Sequence, residues 1–429
     1  MRKTVKTLNQ NQGQNRFNSH TLSSRAFNSR TRSNKYLEFK DLQPLSKKLK
    51  KEGKKIVFTI GSFDLLNPGH CRYLTDAKAA GDILVVGVSS DASDRRVKGP
   101  SFPLIPELIR AELLTYLKTV DYVAIVDNDR PHAGLIMLKP DTFFTCEYDW
   151  KNEIRTKEDQ VLLDMYGGGI FTDPIYEPYF SAGALLHQIA SIRFMQILNR
   201  YLSEKFSNMQ FNFSNSLKPV DFGPQTPRNL FAFNANKLIF KPSALENISK
   251  KAKEEGKKVV FVSGSYDLLH VGHARFIERA AKQGDFLVVG IPSDEAVRKL
   301  KGEGRPVISE NSRAYVLASL DIVDAVVIFP EVSVLETLKK LQPDVFYTVK
   351  DSWNTGYKES PEYKAVTGYG GEVVRGAKQS ANISASAIIN KLAYEKVREI
   401  FEDCMDEGLY GEILNEKSRL SEKGKGKKR

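Results

Sequence analysis

Residues 53–91 and 256–294 are two copies of one segment, and this restricts the chain to architectures made of two like domains. The first reads GKKIVFTIGSFDLLNPGHCRYLTDAKAAGDILVVGVSSD and the second GKKVVFVSGSYDLLHVGHARFIERAAKQGDFLVVGIPSD; 22 of the 39 positions are identical, without a gap, at a constant offset of 203. The same offset maps Lys98-Gly99 onto Lys301-Gly302, Arg110 onto Arg313, Val120-Asp121 onto Val323-Asp324, Pro140-Asp141 onto Pro343-Asp344, and Trp150 onto Trp353. A period this long is a repeated domain, since solenoid units run to a few tens of residues. Two domains also suit a chain of 429 residues.

The net charge of +12 suggests nucleic acid until it is mapped. Residues 1–37 hold eight Lys/Arg and no acid, and residues 417–429 hold seven Lys/Arg against Glu422. The two tails thus carry +14 and the body −2, so the basic footprint of a specific nucleic-acid-binding domain is missing from the body. The Asn-, Ser- and Arg-rich start cannot bury a core and is expected to be disordered; it resembles a transit peptide in lacking acids but is too rich in Asn and Gln. No apolar run has the length of a membrane span, so no membrane insertion is expected. Cys71, Cys146 and Cys404 are isolated, which fits a reducing, cytoplasmic setting.

Short, unalternating Val/Ile/Leu runs recur in both copies, separated by helical patterns: 56–60, 83–88, 122–126 and 142–145, then 259–263, 286–291, 325–329 and 345–348. Such runs predict parallel strands buried on both faces. The order βαβαβαβ in each half predicts an α/β fold of two tandem Rossmann-like, doubly wound parallel-sheet domains. The expected division is a disordered basic tail over 1–40, a first domain over 53–206, a linker over 207–250, a second domain over 256–407 and a basic tail over 408–429. A long helix is expected at the end of each copy, at 183–206 and 384–407, with the linker phenylalanines packing across domain surfaces.

Gly264-Ser265-Tyr266-Asp267-Leu268-Leu269-His270-Val271-Gly272-His273 falls where the first strand of the second copy yields to its first helix. This is the carboxyl end of a strand in an open parallel sheet, where ligands bind, and a helix start favours phosphate. Imidazoles three residues apart can share one face of the first turn, and Gly272 lets an anion approach the backbone. Lys301, between glycine-rich loop residues, and Arg313 add positive charge. The pattern suggests nucleotidyl transfer, in which the acceptor's own phosphate attacks and the protein neutralises charge on the α-phosphorus and pyrophosphate.

GSYDLLHVGH resembles the signature of the HxGH nucleotidyltransferase superfamily, over about 140 residues in each half. The resemblance implies catalytic roles for His270, His273 and Lys301. It implies nucleotide binding by Gly264, Ser265, Tyr266, Gly272 and Arg313, and substrate binding by Asp267. Asn382-Ile383-Ser384-Ala385-Ser386 resembles the family's late helix-start motif, which implies nucleotide contacts from Ser384 and Ser386; Ala385 departs from the pattern, and Lys378 stands where an Arg is usual. The implied partners are a nucleoside triphosphate, CTP or ATP, carrying its own Mg2+, and a small phosphorylated acceptor; a homodimer is compatible. In the first copy His70, Lys98 and Arg110 persist, but Asn67 replaces the first histidine, so that half is expected to support catalysis in the second.

The tandem architecture is similar to the ethanolamine-phosphate cytidylyltransferases of phospholipid biosynthesis, although those usually keep the active site in the first copy. The stretches Ser90-Asp91-Ala92-Ser93-Asp94-Arg95-Arg96-Val97-Lys98-Gly99 and Lys301-Gly302-Glu303-Gly304-Arg305-Pro306-Val307 resemble the ATP-dependent heptose-1-phosphate adenylyltransferases. Architecture favours the former, with the adenylyltransferase as the alternative. A non-catalytic nucleotide sensor or scaffold is the competing class, and nucleic-acid binding by the tails is a third.

Overall fold

The structure, a computed structural model, describes residues 34–100, 102–146, 153–173, 237–239, 244–302, 304–350 and 356–377. The expected terminal helices at 183–206 and 384–407, both tryptophans and the linker phenylalanines lie outside the described residues. The first domain runs β1 (Tyr36–Leu37), α1 (Leu42–Lys51), β2 (Ile56–Gly61), α2 (Pro68–Ala79), β3 (Ile83–Ser89), α3 (Asp91–Lys98), α4 (Glu107–Thr115), β4 (Tyr122–Val126), α5 (His132–Leu138), β5 (Thr142–Cys146), α6 (Glu153–Asp164) and β6 (Gly169–Asp173). The second repeats it: β7 (Leu238–Ile239), α7 (Ala244–Glu254), β8 (Val259–Ser263), α8 (Val271–Ala281), β9 (Phe286–Pro292), α9 (Asp294–Lys301), α10 (Glu310–Ala318), β10 (Ala325–Phe329), α11 (Leu335–Leu341), β11 (Val345–Val349), α12 (Pro361–Gly368) and β12 (Glu372–Gly376).

Among the described residues, each domain forms one six-stranded, all-parallel sheet, in the order β1-β4-β3-β2-β5-β6 and β7-β10-β9-β8-β11-β12. The central strands β2, β3, β8 and β9 are largely apolar and buried because both faces are covered, whereas β6 and β12 at the sheet edges are partly exposed and carry Asp173, Glu372 and Arg375. In β2, Val57 faces one core and Ile56 and Phe58 the other; in β8, Val260 and the pair Val259 and Phe261 divide in the same way. The recurring Val-Asp and Pro-Asp pairs hold strand starts. Asp121 accepts from the Leu84 N–H at 2.7 Å and Asp141 from Ile56 at 2.7 Å, as do Asp324 from Leu287 at 2.8 Å and Asp344 from Val259 at 2.7 Å.

Each sheet begins upstream of the copied signature. β1 lies inside the expected tail and β7 inside the expected linker, and both pair as edge strands, with β4 and β10. A two-residue strand carries no hydrophobic period, which hides it in the sequence. The matching residues here are Lys35 and Lys237, whose ammonium groups donate at 3.1 Å to the carbonyls of Leu117 and Leu320.

Those two leucines lie on a pseudo-twofold axis. Leu117 pairs with its own repeat counterpart, Leu320, in an antiparallel bridge. Lys118 N–H donates to Ser319 C=O at 3.1 Å, and Asp321 N–H to Tyr116 C=O at 2.9 Å. Around this axis α2 packs on α10 and α8 on α4, and one apolar core runs without a break from Val57, Leu74 and Leu114 to Val260, Ile277 and Leu317. The isologous contact of a two-fold dimer is thus built between the halves of one chain. Among the described residues, no helix is long and apolar enough to cross a membrane.

Candidate active site

β8 pairs with β9 on one side and β11 on the other, so the chain leaving its carboxyl end emerges at the switch point of the sheet. The turn there depends on Tyr266, held at φ +45°, a left-handed conformation that costs a non-glycine residue about 1–3 kcal/mol. Its ring lies over Gly264, where an added Cβ would come within 3.0 Å of it, and meets the His273 ring edge-on at 5.1 Å. Gly264 thus gives the tyrosine ring room to lie close against the backbone.

α8 starts at Val271 with His270 as its N-cap, the Nδ1 of His270 accepting from the His273 N–H at 3.4 Å. This brings the two imidazoles into a stack, with centroids 3.7 Å apart and planes 21° from parallel. Burial pushes His270 down to about 4. His273 is lowered well below the usual histidine range, by burial first and then by the nearby His270 and Lys301. At neutral pH both rings are neutral N–H donors at a helix start, so any positive charge on them must come with a bound anion.

Lys301 ends α9, and Gly302 stops the helix at φ +85°. The Lys301 ammonium group donates to Ser265 Oγ, and its pKa is lowered by burial, with Arg305 and Arg313 adding to the effect and Asp267 opposing it. The structure thus brings His270, His273, Ser265 and Lys301 to one sheet edge.

Two other predicted site residues make contacts within the framework. Asp267, 2% exposed, accepts from the Val307 and Ile308 N–H groups at 2.7 and 3.0 Å and from Arg305 Nη1 at 2.6 Å, tying down the loop after Lys301. Arg313, also 2% exposed, donates to the carbonyls of Ile308 at 3.0 Å, Ser265 at 2.8 Å and Pro292 at 2.9 Å, and to Asp294 at 2.7 Å. Arg110 does the same for Ile105, Ser62, Ser89 and Asp91. The same clamp thus occurs in both copies. Gly272 is buried in the first turn of α8. Ser384, Ser386 and Lys378 lie outside the described residues. Arg305 carries no sequence signal beyond its place in the Lys301–Val307 motif.

The first half has the same turn, with Phe63 at φ +49° edge-on to His70 at 5.3 Å. Asn67 takes the N-cap: its Oδ1 accepts from the His70 N–H at 3.1 Å and its Nδ2 donates to Leu65 C=O at 3.3 Å. Asn is a favoured N-cap, and Pro68 at the next position is a favoured first helical residue. Asn-Pro in place of His-Val therefore suits the helix start and engages the Asn67 side chain, which is fully buried. Burial pushes His70 down to about 4, helped by Lys98.

A family model described as Cytidylyltransferase-like matches residues 58–181 and 261–391. Several curated relatives are each named "Bifunctional protein HldE". The one from Geotalea uraniireducens (strain Rf4) is 52% identical over 102 residues, 24% of this chain and 21% of that protein. That from Aliarcobacter butzleri (strain RM4018) is 44% identical over 117 residues, 27% of this chain and 25% of the relative. That from Campylobacter curvus (strain 525.92) is 34% identical over 209 residues, 46% and 44% of the two chains. The chain thus spans less than half the length of each of these relatives.

Proposed function

Because the chain belongs to the cytidylyltransferase-like family, we propose that it is a nucleotidyltransferase working in its second half, which joins ATP to a sugar 1-phosphate of the heptose 1-phosphate class. The acceptor's phosphate oxygen attacks the α-phosphorus of magnesium ATP; the new P–O bond forms as the bond to the β-phosphate bridge breaks, giving an ADP-sugar and pyrophosphate. A phosphate monoester is largely ionised at pH 7, so no general base is required. His270 and His273 donate to phosphate oxygens at the start of α8, and Lys301 neutralises charge on the leaving group. Tyr266 and Asp267 hold the turn and the loop that place these donors.

The observation that carries this reading is the stacked His270–His273 pair at a helix start beside the Lys301–Ser265 contact. The HldE relatives, together with the Lys301–Val307 motif, favour the sugar-phosphate alternative over the ethanolamine-phosphate and phospholipid reading. Tandem architecture records a duplication and carries no information about the acceptor. Pyrophosphate release tests the choice, with ATP or CTP each offered heptose 1-phosphate or phosphoethanolamine. Release is expected with ATP and the sugar phosphate; faster release with CTP and phosphoethanolamine would overturn the assignment.

A further inference from the structure

One buried position changes from apolar to acidic between the halves at the phosphate end of the first half. Val297 on α9, fully buried, answers to Asp94 on α3, a carboxylate only 3% exposed. Asp94 accepts from Ser62 Oγ at 2.6 Å and Ser89 Oγ at 2.9 Å. It also lies 3.4 Å from Lys98 Nζ and 3.3 Å from Arg110 Nη1. Ser62 and Lys98 are the counterparts of Ser265 and Lys301, which in the second half contact each other with no acid at position 297. Ser89 likewise answers to Pro292, so one of the two hydroxyls that hold Asp94 is also peculiar to the first half.

We infer that Asp94 is a built-in anion standing where a phosphate would be bound, and that it closes the first half to nucleoside triphosphates. The inference rests on the proposed reading of the second half as a triphosphate site. A buried carboxylate must be surrounded by donors, and here those donors are the hydroxyl and ammonium groups that an incoming phosphate would need. A triphosphate meets a like charge at contact distance and finds Lys98 already paired. Asn67 is engaged by backbone, so no donor replaces the missing imidazole. The first half keeps the sheet, the turn and the clamp of a nucleotide site while its charge rejects the ligand. One chain then takes one nucleotide.

Isothermal titration of the full chain with magnesium ATP tests this. Wild type is expected to bind one equivalent and His273→Ala to bind far more weakly. In the His273→Ala background, Asp94→Val, which copies the second half, restores one equivalent with affinity raised by about 100-fold or more over the single variant. Asp94→Asn removes the charge without changing shape and is expected to act in the same direction, so the test survives if the valine variant does not fold. Two equivalents in wild type, or no gain in either folded Asp94 variant, would overturn the inference. If wild type binds no ATP, the reading of the second half fails instead. Inorganic tripolyphosphate, titrated into wild type and Asp94→Asn, then decides the role of Asp94: a gain upholds it and no gain overturns it.

Discussion

Arg275 stands two residues after His273 on α8, and its guanidinium leaves its own half to meet Glu112 on α4. Both bonds, Nε to Oε1 and Nη2 to Oε2, are 2.6 Å long. The contact works in one direction only. The counterpart of Glu112 is Tyr315, and the counterpart of Arg275, Arg72, pairs with Asp76 and Asp173 inside its own domain. The first half therefore grips the helix that begins with the histidines. Exposed pairs contribute about 0.2–1 kcal/mol, whereas breaking a buried one costs about 3–5 kcal/mol. Here the Glu112 side chain is 5% exposed and that of Arg275 34%, in bidentate geometry, which places the coupling at about 2 kcal/mol. A double-mutant cycle with Glu112→Gln and Arg275→Met, followed by urea denaturation of the full chain, measures it. One cooperative transition is expected because the apolar core crosses both halves. A coupling below about 0.5 kcal/mol, or two separate transitions with the change confined to one, would refute the reasoning.

Other expectations concern the site and its supports. Leu320→Ala removes a fully buried side chain on the pseudo-twofold axis and is expected to cost about 3 kcal/mol in denaturant unfolding, with loss of the single transition. Gly290→Ala would put a Cβ 2.5 Å from the Phe261 ring; unfolding should show a loss of about 2 kcal/mol. Acid should destabilise the fold through His270. Its folded pKa of about 4 lies below the unfolded value near 6.5, so the unfolded state binds the proton first, and stability is lost as pH falls from about 6.5 to about 4. Thermal melts across that window should show His270→Asn losing less than wild type; equal losses would contradict the assignment.

Much of this fold can be read in the chain because the central strands of each sheet are covered on both faces. Runs such as Val259–Ser263 and Ala325–Phe329 lack alternation and mark buried parallel strands, and their bounds in the structure match the sequence reading. The edge strands β1 and β7 are illegible because two residues have no period. The pseudo-twofold contact is equally hidden, since Leu117 and Leu320 look like ordinary core residues until their partners are known. At the site, His270 and His273 stand out because their spacing is local. Arg313 and Asp267 could not be assigned by position alone, because a buried framework clamp and a ligand contact place the same residue types near the same loop. Asp94 had no signal of its own, and only comparison with Val297 in the folded repeat exposes it.

The claim that chemistry resides in the second half is tested most directly by steady-state pyrophosphate release from the full chain with magnesium ATP and a sugar 1-phosphate. The comparison is between His273→Ala and its first-half counterpart His70→Ala. The account predicts a fall in kcat/KM of about 100-fold or more for His273→Ala and less than about threefold for His70→Ala. A large loss in His70→Ala with activity retained in His273→Ala would contradict it.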